Sequence, residues 1–166
     1  MPIYTHNGNF GPAVNIAGFV AAAQAAPAPV GPLPLLAGGG AAVSLGTGQT
    51  GLINIGMAAQ VTRAIGLVTC ASVIYASTHA AAAPAAWVHH ANAGHVSIAD
   101  VNNALLALGA PAASVIVIFA HPGASDPGYL ASINTIAGQG IPAANIVEIP
   151  NLVVAQFGIN NLGQIG

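Results

Sequence analysis

Charge is what this sequence has least of. Only Arg63, Asp100, Asp126 and Glu148 carry fixed charge among 166 residues, 2% of the chain, where an ordinary globular protein has ~25%. A single fixed cation leaves nothing for phosphate neutralisation or a polybasic membrane patch, so nucleic-acid binding by counterion release is excluded as a function class. Cysteine is nearly absent as well. Cys70 stands alone, so no internal disulfide can form and a reduced thiol is expected. Uninterrupted hydrocarbon-soluble runs are missing despite a mean hydropathy of +0.75. The run 13–26 is followed by Pro27, Pro29, Pro32 and Pro34, and 65–83 contains Thr69, Ser72, Ser77, Thr78 and His79. No integral membrane span is expected from either. Met1–His6 has no Lys or Arg ahead of its patchy continuation, and no classical signal peptide is visible.

What is present is a large stock of small and apolar side chains. Apolar residues make up 55% of the chain, with 21 glycines and 12 prolines, below the ~25–30% glycine plus proline that marks low-complexity disorder. The length suits one domain, 1–166, and no 20–50-residue period recurs. A Pro/Gly/Ala-rich tract near 21–40 reads as a connector wrapped over the surface. Its prolines favour extended backbone, and Gly38-Gly39-Gly40 permits sharp bends.

Beyond Gly51, short Val- and Ile-rich runs predict strands at 52–55, 65–76, 86–91, 114–120, 145–149 and 152–157, each bounded by Gly, Pro, Asn or Ser. Two helices are marked by their ends. Ser97-Ile98-Ala99-Asp100 is a capping-box pattern, and Gly109 sits where a C-cap belongs, predicting a helix over 98–109. Ser125-Asp126-Pro127 offers an N-cap and a first-turn proline, predicting a helix over 127–138 and a strand–helix–strand unit over 114–150. The tail from Asn151 to Gly163 reads as a closing hairpin. The expected fold class is α+β: a single domain with a β-sandwich-like core flanked by helices.

The chemical signal centres on Cys70. A thiol placed after a Gly-containing approach and before an apolar strand can leave nearby backbone N–H groups unpaired and able to bind an oxyanion. About 20 residues on, Trp87-Val88-His89-His90-Ala91 has the pattern of a neighbouring strand with two histidines on opposite faces. A free thiol has a pKa near ~8.5 and is only a few per cent ionised at neutral pH, so an imidazole that takes its proton makes acyl transfer feasible. His90 is the preferred base over His89, because it precedes the small stretch Ala91-Asn92-Ala93-Gly94, which leaves room for a substrate side chain. The bland alternatives are a buried, inert Cys70 and two histidines that merely pack.

The order Gly66-Leu67-Val68-Thr69-Cys70, apolar strand, short link, apolar strand with His resembles the cysteine glutamine-deamidase superfamily. This comprises the chemotaxis receptor deamidases and toxin catalytic domains related to cytotoxic necrotizing factor and Burkholderia lethal factor. The matching stretch is 66–94, with Thr69 standing where those families carry glycine or serine. The resemblance implies hydrolysis of a protein glutamine side-chain amide through a Cys70 thioester, with the oxyanion held by the backbone amides of Thr69 and Cys70, with no cofactor, and with a target protein carrying a reactive glutamine as partner. It also implies a bacterial protein, secreted or delivered to a target cell by a non-classical route. Family members orient the histidine with a threonine hydroxyl, a backbone carbonyl or another polar side chain. The receptor deamidases' threonine falls at Ala64 here, and Thr62 shares its strand face, so Thr62 is a candidate for that role.

Other readings stay open beside this one. His79, His95 and His121 allow a metal hypothesis with His89 or His90, but no zinc-binding spacing occurs, and no metal is expected. His121 ends a strand and has no assigned role. Leu45–Gly51 lacks the Lys-Ser/Thr ending of a phosphate loop and reads as a turn. Arg63 can pair with Asp100, Asp126 or Glu148, and such a structural role is favoured over substrate binding. A cysteine hydrolase of peptide or thioester bonds would share the Cys–His dyad. The competing non-enzymatic class is an Ala/Gly/Pro-rich surface or structural protein, whose low charge permits self-association.

Overall fold

In the computed structural model, which describes residues 1–37, 41–57 and 60–166, two five-stranded sheets lie face to face. The first contains, in spatial order, β10 (Ile146–Ile149), β9 (Val115–Ala120), β7 (Ala71–Ser77), β8 (Ala85–Ala91) and β5 (Thr50–Asn54). The second contains β2 (Val14–Asn15), β12 (Gln164–Ile165), β11 (Gln156–Asn160), β6 (Gln60–Ile65) and β4 (Ala41–Leu45). A parallel ribbon of β1 (Thr5–Pro12) and β3 (Val30–Leu35) forms a separate two-stranded sheet, with Leu33 packed into the core of the other two. With helices α1 (Ile16–Ala25), α2 (Ile98–Leu108) and α3 (Pro127–Gly138), this is a single α+β unit.

Two hydrophobic layers hold it together. Between the sheets lie Ile53, Ile74, Val88, Ile118, Phe157 and Ile159. One end of that layer is closed by Ile16, Phe19, Val20 and Ala23 of α1. On the other face of the first sheet, Val73, Tyr75, Val117 and Phe119 pack beneath Val101, Ala104 and Leu108 of α2 and Ile133 and Ile136 of α3. The first sheet is therefore central and covered on both faces. This is why β7 and β9 read as continuous apolar runs without a polar alternation.

The helix ends follow the local chemistry. Ser97 and Asp100 form a reciprocal capping box, and Gly109 closes α2 in the left-handed conformation at φ 59°. Asp126 caps α3 through the amides of Gly128 and Tyr129. β9, α3 and β10 form a parallel strand–helix–strand unit over the expected span.

Three expectations are corrected. The run 65–76 is two strands in different sheets. β6 ends at Ile65, Gly66 turns with φ 71°, and residues 66–70 cross to the central sheet, where β7 begins at Ala71. The tract 21–40 is not simply a connector, because it contains the end of α1 and all of β3. Pro32 and Pro34 are tolerated in β3 because it has a single partner strand, β1, so the missing N–H groups cost no second ladder. The bends expected at Gly38–Gly40 fall outside the described residues. Last, residues 152–155 lie outside any strand, and the closing hairpin runs from β11 to β12 through Asn161–Gly163.

Candidate active site at one edge of the central sheet

β8 and β9 run parallel to each other on either side of β7, so their C-terminal ends meet the start of β7 at one edge. Cys70 lies there, at the end of the crossing loop. It shares the inter-sheet layer with Ile74 and Ala76 and is 6% exposed. Its neighbour Thr69 is exposed. The backbone amides of Thr69 and Cys70 make no hydrogen bond among the described residues, as an oxyanion-binding pair requires.

The tandem histidines face opposite ways, as period-two alternation demands. Both are buried. His90 lies on the same face as Val88 and Cys70, between the sheets, and His89 on the helix-covered face with Trp87. Ser72 pairs directly with His90 across the β7–β8 ladder. Cys70 stands two residues before Ser72, just ahead of the ladder, and shares the inter-sheet layer with the residues of that face.

The protonation of His90 follows from its contacts. Nδ1 lies 2.8 Å from the Leu45 carbonyl oxygen. A carbonyl only accepts, so Nδ1 carries the hydrogen, and in the neutral ring Nε2 is a bare acceptor. Nε2 is buried and has no partner among the described residues. Backbone bonds on both sides hold the ring's residue in place: Gly48 N–H donates to the His90 carbonyl and His90 N–H to the Gln49 carbonyl. Leu45 ends β4, and Gly48 and Gln49 belong to the β4–β5 connection; of the stretch Leu45–Gly51 expected to turn, 46–49 form that connection. The same turn brings the Thr47 hydroxyl to 3.8 Å from the Cys70 sulfur.

Thr62 reaches the inter-sheet layer from β6. Its hydroxyl is buried without a partner among the described residues and makes no hydrogen bond to His90; the bond that orients the imidazole is made to the Leu45 carbonyl instead. The sheets approach closely here. A Cβ at Gly51 would come within 2.9 Å of the Thr62 methyl group. On the opposite face, burial depresses the pKa of His89 most strongly, the Asp100 carboxylate raises it, and His90 lowers it further, for a net lowering.

Two expectations about this edge fail. The room foreseen beside Ala91–Gly94 is filled by the Tyr129 ring. Gly94 adopts φ 70°, and a Cβ there would fall on that ring. Arg63 pairs with none of Asp100, Asp126 and Glu148, each of which is hydrogen-bonded elsewhere.

Sequence reasoning also missed a second polar cluster. Immediately after β9, His121 donates from Nε2 to Glu148 Oε1 at 2.9 Å, and both side chains are fully buried. Ser125 donates to the same oxygen at 2.6 Å. Tyr129 stacks on the imidazole, with ring centroids 3.8 Å apart. Burial pushes the Glu148 carboxyl up, but the His121 and Ser125 hydrogen bonds outweigh it and hold its pKa below the ordinary value. A signal was present: a lone glutamate in the apolar strand Ile146–Ile149 cannot stay buried without a partner. Burial and the charges of Asp126 and Cys70 raise the Tyr129 phenol's pKa, in that order.

Among the described residues no group of three or more His, Cys, Asp or Glu is arranged to hold a metal ion. No helix among them is long and apolar enough to cross a membrane. No protein-family model matches the chain, and no curated protein matches it.

Proposed function

We propose that this protein is a cysteine-dependent glutamine deamidase acting on a side-chain amide of a target protein, with Cys70 as nucleophile and His90 as base. One observation carries the reading: the Leu45 carbonyl fixes His90 in the tautomer whose bare Nε2 lies on the face of the sheet that holds Cys70. The support is chemical. A general base needs an unprotonated nitrogen, a fixed ring and a nearby acid, and catalytic hydrogen bonds commonly tighten only when substrate binds.

On this reading the Cys70 thiol reaches Nε2, which takes its proton. The thiolate forms a C–S bond to the carboxamide carbon, and the amides of Thr69 and Cys70 receive the oxyanion. As the C–N bond breaks, His90 returns the proton to the departing ammonia, leaving a thioester. His90 then takes a proton from water, whose oxygen attacks the thioester carbon. The C–S bond breaks, the thiol is restored and glutamate remains. Thr47 covers the sulfur and must give way to an incoming side chain. On this reading the protein acts as a bacterial toxin or effector delivered to its target cell.

The test is ammonia release and mass spectrometry on a pooled library of glutamine-containing peptides, beside iodoacetamide labelling of the native thiol. Glutamate formation that disappears in Cys70→Ser and His90→Ala supports the reading; formation unaffected by Cys70→Ser overturns it. The burial of the thiol favours one competing reading, a self-associating structural protein with an inert cysteine. A native thiol that resists labelling, in a protein that sediments as a concentration-dependent assembly, is the result expected from that alternative.

A further inference from the structure

The ring of Tyr129 lies across the start of β7. Gly94 follows β8 and Gly123 follows β9, the two neighbours of β7, and the ring packs against both. A Cβ at Gly94 would fall on its Cδ1–Cε1 edge, and one at Gly123 would come within 2.9 Å of Cε2 on the opposite edge. One face of the ring stacks on His121 with centroids 3.8 Å apart, and Ala71, the first residue of β7, belongs to the same cluster. Cys70 is the next residue back along the chain. Burial, the Asp126 charge and a thiolate at Cys70 raise the phenol's pKa in that order, which puts the sulfur within electrostatic reach of the ring. His121 is held beneath the ring by Glu148, and Glu148 by Ser125. Tyr129 itself is only half-buried, and residues 124–128 just before it are exposed, so its ring has solvent to turn into.

We propose that Tyr129 is a gate to Cys70, closed in this structure by stacking on His121 and opened when a substrate side chain takes the place of its ring. The slot that the ring fills is bordered by two glycines, which bring no side chain to block it, and floored by a flat imidazole. Such a slot suits an unbranched side chain ending in a planar group, as glutamine does. Stacked aromatic pairs add only modestly to the area they bury, and a single half-buried side chain opens far more readily than the fold around it. The purpose of the gate rests on the reading of Cys70 as a nucleophile. Its existence does not, because access to the thiol is measured with a reagent alone.

The test is the rate at which iodoacetamide alkylates Cys70 in the folded protein, followed by intact mass; with one thiol in the chain the site is unambiguous. Tyr129→Ala removes the gate and is expected to be alkylated about tenfold faster than the parent. Tyr129→Phe keeps the ring and is expected to match the parent. Gly123→Ala, at a backbone without positive φ, sets a methyl group against the ring and wedges it outward, and its rate is expected to fall between the two. That variant guards against an alanine at 129 that does not fold. Each rate is taken at several urea concentrations below the unfolding transition, where opening of the gate alone leaves the rate independent of urea. Equal rates in the parent, Tyr129→Ala and Gly123→Ala overturn the proposal, as does a Tyr129→Phe rate equal to that of Tyr129→Ala or an acceleration that appears only as urea rises. Faster alkylation of Tyr129→Ala in a protein that releases no ammonia from glutamine keeps the gate and removes the deamidase. Ammonia release with an alkylation rate indifferent to Tyr129 does the reverse.

Discussion

Two polar clusters share one edge of the central sheet, one on each face. On the helix-covered face, His121, Glu148 and Ser125 are bonded to one another within 2.9 Å. On the face toward the second sheet, His90 and Thr62 each keep a buried polar atom without a partner among the described residues, and the Cys70 sulfur has a 3.8 Å contact to Thr47. The first cluster is bonded internally, although His121 Nδ1 and Glu148 Oε2 also find no partner among the described residues. Its bonds keep a carboxylate inside an apolar strand, and breaking them leaves charge or polarity stranded. The second is more open: its imidazole is held by a backbone carbonyl and not by another side chain. An unmet buried group costs about 1–3 kcal/mol in either cluster, so the difference between them lies in what is bonded, a carboxylate gripped by two side-chain donors against an imidazole oriented by backbone alone.

The largest effect expected from testing this contrast is on activity. Cys70→Ala or His90→Ala is expected to lower glutamine hydrolysis by at least ~10²-fold, while the denaturation midpoint in urea moves little. A large loss of stability in both variants would show that the open cluster is also an anchor. Next comes Glu148→Ala, which strands His121 and Ser125. It is expected to cost about 3 kcal/mol or more, read by urea unfolding at neutral pH. A cost below 1 kcal/mol would break the contrast from the other side. Gly94→Ala combines a left-handed backbone with displacement of the Tyr129 ring, and about 2 kcal/mol of destabilisation is expected, together with loss of the Tyr129–His121 stacking.

Acid sensitivity sharpens the comparison further, because two of the groups with a depressed pKa, His89 and Glu148, lie on the helix-covered face. His89 titrates below its ordinary 6.5, so the unfolded chain takes up that proton first and stability falls as pH drops below 6.5. Glu148 titrates below its ordinary 4.5, so its stabilisation is present above 4.5 and is lost as pH falls through its folded value. Urea midpoints between pH 7 and pH 3 are expected to show both losses. His89→Phe is expected to flatten the upper one, and an unchanged upper loss would assign it to another histidine. The smallest effect is at Thr62. Removing its unpartnered hydroxyl in Thr62→Val is expected to be neutral or to stabilise by up to about 1 kcal/mol; a substantial loss would reveal a hydrogen bond formed in solution.

What was legible at each position depended on the distance over which the relevant interaction acts. Ser97, Asp100, Gly109, Asp126 and Pro127 marked α2 and α3 because a cap satisfies backbone groups within one turn. The placement of His89 and His90 on opposite faces followed from strand alternation alone. In contrast, the apolar run 65–76 carries no residue that announces a change of sheet, and the Pro-rich tract gave no hint that β3 would pair with β1, twenty-odd residues earlier. The Glu148–His121 bond spans 27 residues, and only the incongruous glutamate in β10 pointed to it.

By itself, then, the sequence determined that the chain would be nearly uncharged, helical where caps bracket amphipathic segments, and chemically distinctive only around one thiol and two imidazoles. Tertiary structure alone decided that the Leu45 carbonyl would choose the His90 tautomer, that Tyr129 would fill the space beside Gly94, and that His121 would meet the buried Glu148. The reason is that capping and alternation are satisfied by near neighbours along the chain. The protonation of a buried ring and the pairing of a lone charge depend instead on which distant backbone folds against them.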